Sequence, residues 1–229
     1  MSAPAQALLM GGSEDRRARL ILALNGSNGS TSFPDTSIYA RSVTAVGNAQ
    51  ISTAQSVFGG ASALFDGAGD YLTVPDSSDL KPHVGNWTFG CRFRPNTVAA
   101  GDRNIFTKRA SNAVFSPIQL RASGGILDLK ASQNGSSWAI STTGGTLVAN
   151  TWHHLELVIN GTSVKVYLNG NAAASGTLTA ALMDNSSAWV IGGDTNANYL
   201  NGYLDDIYWL PYALHTANFT PPTSAYADP

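Results

Sequence analysis

The stretch WHHLELVINGTSVKVYLNG, residues 152–170, decides the fold class. Leu155, Leu157 and Ile159 alternate with Glu156 and Val158, and after Asn160-Gly161 the alternation resumes as Val164, Val166 and Leu168. Period-two spacing puts every second side chain on one face of an extended strand. Asn-Gly between two such runs marks a tight hairpin turn, because it tolerates the positive φ the turn requires. The same period recurs at Trp87, Phe89, Cys91 and Phe93, against Thr88, Gly90, Arg92 and Arg94, so 87–94 reads as a half-buried strand stopped by Pro95. Shorter runs bounded by Gly, Asn, Ser or Pro predict strands near 20–24, 62–66, 70–74, 104–109, 117–122, 125–130, 137–142, 172–178, 188–192 and 203–210. Helical periodicity is almost absent, and no internal repeat is visible. Strands at this density in one domain predict an all-β, two-sheet antiparallel sandwich or jelly roll.

Composition narrows the function classes. The chain has 229 residues, 43% hydrophobic and only 12% charged, enough to bury a large core in a single domain. A net charge of −2 gives no basic field for nucleic acid or an anionic membrane, so neither is an expected partner. The apolar run LILAL at 20–24 is far too short to span a bilayer. Cys91 is the single cysteine, which excludes an internal disulfide and reads as a small buried hydrophobe. The opening MSAPAQALLMGGSEDRRAR carries no basic residue ahead of its apolar stretch and does not read as a signal peptide.

The run LILALNGSNGSTSFPDTSIYARSVTAVGNAQISTAQSVFGGASALFDGAGDYLTVP (20–75) resembles the start of concanavalin A-like lectin/glucanase domains of the laminin G-like type, particularly copies in phage structural proteins. WTFGCRFRP (87–95), IFTKR (105–109), TWHHLELVINGTSVKVYLNG (151–170), IGGD (191–194), LNGYLDDIYWL (200–210) and HTANFTPPT (215–223) follow in the order of that family, covering about 19–223. The resemblance implies a two-sheet jelly roll and places the FDG strand near the GYLDDI strand. The expected organisation is an N-terminal arm at 1–18, a sandwich domain at 19–223 and a tail at 224–229. The segment HTANFTPPTSAYADP contains Pro221 and Pro222 and is expected to run extended over the surface, pinned by Phe219 and Tyr226.

FDGAGDYLTVP (65–75) holds Asp66 and Asp70 around Gly67 and Gly69. One reading is a strand connection in which the glycines supply positive φ. The other is a structural calcium site built from Asp66 or Asp70 with Asp205 or Asp206, since calcium takes six to eight oxygens. Adjacent strand residues face apart, so only one of Asp205 and Asp206 is expected at a given site. Otherwise no cofactor is expected. His153 and His154 likewise face apart and read as ordinary strand residues.

Glycoside hydrolysis needs two carboxylates flanking the scissile bond. The chain has two glutamates, Glu14 in the arm and Glu156 in the hairpin, and no E-x-D-x-x-E pattern. No serine elbow, P-loop or dinucleotide fingerprint occurs. The expectation is a non-enzyme. Sugar sites combine exposed aromatic faces with a few placed polar groups. GGDTNANYLNGY (192–203) has that mix, and Trp138, Asp194, Asn196 and Tyr199 are the candidate carbohydrate-binding residues. Tyr203, Tyr208 and Trp209 also fit a core or a subunit interface, and a homo-oligomer is expected. Seven N-x-S/T sequons, at Asn25, Asn28, Asn86, Asn134, Asn160, Asn185 and Asn218, reflect an Asn/Ser/Thr-rich surface.

Two functions follow. The first is a virion structural protein, a decoration, fibre or tail component made in the host cytoplasm and bound to a capsid or tail protein. Its arm charges Glu14, Asp15, Arg16, Arg17 and Arg19 would contact that partner. The second is a carbohydrate-binding lectin or adhesin for a host-surface glycan, with or without calcium.

Overall fold

The computed structural model describes residues 15–83, 85–109, 111 and 113–228. Its strands are β1 (Leu20–Leu22), β2 (Thr44–Val46), β3 (Gln50–Ser52), β4 (Ser62–Asp66), β5 (Tyr71–Val74), β6 (Trp87–Pro95), β7 (Asp102–Thr107) and β8 (Ile118–Ser123). They continue as β9 (Ile126–Ala131), β10 (Ile140–Thr146), β11 (His153–Asn160), β12 (Ser163–Leu168), β13 (Asn171–Thr177), β14 (Trp189–Ile191) and β15 (Asn201–Leu210). One 3-10 turn, Ser78–Leu80, is the helical element among the described residues. None of the described residues forms a helix long and apolar enough to cross a membrane.

The hairpin forms as its sequence dictates. β11 and β12 pair antiparallel from Leu155↔Leu168 to Asn160↔Ser163, and Gly161 turns the chain at φ 59°. Leu155, Leu157, Ile159, Val164 and Val166 all face the core. From this hairpin an eight-stranded sheet grows in the order β13-β12-β11-β6-β15-β4-β3, with β1 also paired to β15. The seven-stranded sheet runs β10-β9-β8-β7-β14-β5-β2. Every pairing is antiparallel, and the two sheets form the expected sandwich.

Aromatic rings join the sheets. Phe106 of β7 stacks on Phe89 of β6 at 3.8 Å between centroids and on Trp189 of β14 at 4.6 Å, while Trp209 of β15 meets Trp189 edge-on at 4.5 Å. All four are buried, so offset and T-shaped ring packing adds to the area they remove from water. Cys91 is buried as expected, and burial pushes its thiol pKa far up. β4 pairs with β15 through Asn201↔Asp66, which places the FDG and GYLDDI strands side by side. β2 and β3 were not expected; three residues each leave no room for a visible alternation.

Residues 211–228 form a strap over the outer face of the eight-stranded sheet. Phe219 meets His154 and Tyr167 edge-on at 5.7 and 5.5 Å, and Tyr226 stacks on Tyr208 at 4.8 Å, so both rings pin the strap as the sequence suggests.

Candidate functional site

At one end of the sandwich three loops meet: 66–71 between β4 and β5, 96–101 between β6 and β7, and 192–200 between β14 and β15. The first is a carboxylate-capped turn. Gly67 and Gly69 take φ values of 92° and 88°, as the turn reading requires. Asp70 Oδ2 accepts from the Asp66 amide at 3.0 Å, and its Oδ1 accepts from the Asn48 amide at 2.8 Å. Asp66 Oδ1 accepts from the Ala68 amide at 2.7 Å, and its Oδ2 accepts from Asn48 Nδ2 at 2.9 Å. Burial raises the Asp70 pKa, whereas the Asn48 amide and the Ala68 N–H lower that of Asp66.

The third loop is held against this turn. A Cβ on Gly193 would come within 2.8 Å of the Asp70 carbonyl and 3.2 Å of Tyr199 Cδ1, so glycine permits the close approach. Asn198 adopts φ 54°, its carbonyl accepts from the Asn104 amide at 2.8 Å, and the Leu200 amide donates to the Gly192 carbonyl at 2.9 Å. Tyr199 then lies parallel to Tyr71, 8° between planes at 6.4 Å.

The three loops enclose an open groove of about 330 Å³ lined by Gly67, Gly101, Asp102, Arg103, Asn198, Tyr199 and Asn201. Asp102 is anchored by Arg121 and by Ser123 Oγ at 2.8 Å. Arg103 donates to the Ala99 and Gly101 carbonyls, both at 3.3 Å. Asn201 accepts from Asn96 Nδ2 at 3.0 Å. The groove offers one braced aromatic ring, two amides, a carboxylate and a guanidinium.

The sequence candidates do not all reach this groove. Tyr199 lines it. Asn196 is exposed on the same loop. Asp194 is fully buried, accepting from Arg109 Nε at 2.7 Å and Asn104 Nδ2 at 3.2 Å; it supports the loop and cannot touch a sugar. Trp138 packs on Phe115 at 4.7 Å and under Lys130, near the Ile118 end of β8, whereas Asp102 pairs with Ser123 at the other end. Arg103, Asn198 and Asn201 were missed. The amides stand inside the GGDTNANYLNGY stretch, but nothing in the sequence marks Arg103.

The four aspartates do not assemble as a calcium site. Asp205 Oδ2 accepts from the Val57 and Phe58 amides at 2.8 and 3.0 Å, and Asp206 Oδ1 accepts from the Tyr226 amide at 2.8 Å. Each of the four accepts at least one backbone amide, Asp205 through Oδ2 alone, and among the described residues no three His, Cys, Asp or Glu side chains converge as a metal-binding group. The expectation that Asp205 and Asp206 face apart also fails. The β15–β6 register slips between Asp205 and Tyr208, and Asp206 takes φ 51°. Leu204 and Ile207 both enter the core, so this bulge turns the two intervening aspartates to the outer face together.

Glu156 is fully buried under the strap, accepting from Tyr208 Oη and bonded to His215 Nδ1, both at 2.8 Å. Burial raises its pKa and drives that of the neighbouring His154 down to about 3. Glu156 and His154 are sealed from solvent, while His215, the imidazole bonded to Glu156, is 28% exposed at the surface of the strap. His153 and His154 do face apart, pairing with Phe93 and Arg92.

The arm charges are satisfied within the chain. Asp15 accepts from Arg17 Nε at 2.9 Å and Arg19 Nη1 at 3.1 Å, and Arg16 lies 4.2 Å over the Tyr212 ring. Glu14 lies outside the described residues.

The model of the concanavalin A-like lectin/glucanases superfamily matches residues 66–218, and the chain belongs to that family, in its laminin G-like branch. No curated protein sequence matches it. Among solved structures it is similar to the binding domain of Paraclostridial Mosquitocidal Protein 1, at 15% identity and a TM-score of 0.67, covering 88% of this chain and 50% of that one. The receptor binding domain of botulinum neurotoxin C/D mosaic serotype gives 15%, 0.67, 87% and 48%. The binding domain of botulinum neurotoxin DC in complex with SialylT gives 15%, 0.66, 88% and 49%. The chain thus spans about half the length of these structures, and at this identity the likeness is one of fold.

Proposed function

We propose that this chain is a non-catalytic glycan-recognition module whose sugar site is the end groove around Tyr199. The carrying observation is the convergence there of a braced tyrosine ring with Asn198, Asn201, Asp102 and Arg103. A pyranose presents CH groups that stack on an aromatic face and paired hydroxyls that match amide, carboxylate and guanidinium geometry. The groove is open and near the lower end of the roughly 300–1,000 Å³ of small-molecule sites, so it suits one or two sugar residues bound weakly and strengthened by multivalent display.

The structural neighbours support recognition over the particle-structural role expected first, since they are described as binding or receptor-binding domains and one was solved with SialylT. A virion is one place where such a module could be displayed, and quantitative mass spectrometry of purified particles tests that setting separately.

A glycan array probed with the chain should give a defined set of bound saccharides. Tyr199→Ala should then lower affinity for them about tenfold or more while the circular dichroism spectrum stays unchanged. An array with no bound glycan would overturn the reading.

A further inference from the structure

The carboxylates around the end groove are engaged within the chain, whereas several of its N–H donors are open. Asp102 Oδ1 accepts from Ser123 Oγ at 2.8 Å and its Oδ2 from Arg121, which also pairs with Asp128 at 2.6 Å. Asp66, beside the lining Gly67, faces the Ala68 N–H and Asn48 Nδ2. The Asn198 backbone carbonyl accepts from the Asn104 amide.

The donors are set by their neighbours. Arg94 Nη1 can only donate, and it bonds to Asn96 at 2.9 Å, so that side of Asn96 is Oδ1. Asn96 Nδ2 is then the group that meets Asn201 at 3.0 Å, which takes up Asn201 Oδ1 and leaves Nδ2 as the open end. A Cβ at position 67 would stand 3.2 Å from that Nδ2, so Gly67 keeps it uncovered. Arg103 lines the groove with Nη1 docked on the Ala99 and Gly101 carbonyls. Among the described residues no carboxylate pairs with Arg103, and its Nε and Nη2 find no acceptor. The Asn198 side-chain amide likewise bonds no described residue.

Resting on the sugar reading of this groove, we propose that it selects acidic saccharides: the sugar's carboxylate sits on the open edge of Arg103 and on Asn201 Nδ2, with the pyranose against Tyr199. A carboxylate offers acceptors only, and a guanidinium edge meets it with two parallel N–H donors. A neutral sugar brings a hydroxyl proton with every hydroxyl oxygen it places there, and the engaged carboxylates leave that proton no strong acceptor. The Arg103 charge, unmatched among the described residues, strengthens the bonds to an anion. The Asn198 amide, with a donor and an acceptor both open, serves the ring hydroxyls. Sialic and uronic acids both carry such a carboxylate on a pyranose ring.

A glycan array on the full chain tests this with matched pairs, each sialic or uronic acid saccharide beside the same saccharide reduced to the alcohol at its carboxyl. Reduction should weaken binding about tenfold or more, and comparing the sialic with the uronic pairs identifies the source of the carboxylate. Arg103→Gln, with an unchanged circular dichroism spectrum, should erase the difference within each pair, whereas Tyr199→Ala should weaken both members. Bound saccharides that are all neutral, pairs that bind alike, or an unaltered preference in Arg103→Gln would overturn the inference and leave the sugar reading of the groove in place. An array with no bound glycan overturns the sugar reading itself, and this inference with it. If Arg103→Gln does not fold, the matched pairs on the unaltered chain decide.

Discussion

The 66–70 turn and the 205–206 bulge each carry two aspartates. Asp70 and Asp205 are alike, buried, raised in pKa and each accepting two backbone amides, and the regions differ in the second carboxylate, Asp66 or Asp206. At the turn Asp66 is exposed and held below its ordinary pKa by the amides it accepts from, while Asp70 is buried and raised. At the bulge both are buried and raised. Spacing does not set this difference. It comes from how many backbone donors reach each oxygen and how much water remains. Both pairs accept backbone amides of the loops beside them.

That comparison can be broken at its strongest point first. Asp205→Ala strands the Val57 and Phe58 amides and leaves Arg92 facing one carboxylate fewer, and urea unfolding should show a loss of about 3 kcal/mol. Asp70→Ala removes the acceptor of two amides at a position 1% exposed, for an expected loss of about 2 kcal/mol. Asp66 is exposed, so Asp66→Ala should cost less than about 1 kcal/mol by the same measurement. An Asp66 variant as damaging as the Asp205 variant would erase the distinction between the regions. The smallest effect expected is that of millimolar calcium, which should leave the thermal midpoint of the chain within about 1 °C of its calcium-free value. A calcium-dependent rise lost in Asp205→Ala or Asp206→Ala would restore the cation reading of the bulge.

The sandwich was legible because the deciding strands alternate over six residues or more, as at 87–94 and 155–168, and because Gly161 marks the hairpin turn, although the turn is Gly161-Thr162 and Asn160 pairs with Ser163 as the last strand residue. β2 and β3 were illegible at three residues each. The bulge left a trace that the strict alternation rule overrode. Leu204 and Ile207 stand three positions apart where a regular strand spaces core residues by two, so one residue had to be extra. Tyr199 was found from the aromatic and amide mix around it. Asp194 belonged to the same mix, yet its partners Arg109 and Asn104 lie 85 and 90 residues away in sequence and only the fold reveals that it is sealed. Trp138 failed for a related reason, since composition cannot tell which end of the sheet a ring occupies.

The account rests on the end groove as the place where a sugar docks. The most direct measurement is amide and side-chain chemical-shift mapping of the chain during titration with the tightest saccharide from the array. The account predicts shifts concentrated at Gly67, 101–103 and 198–201, and their loss in Tyr199→Ala. Shifts centred instead on Trp138 and Phe115, or on the strap, would contradict it.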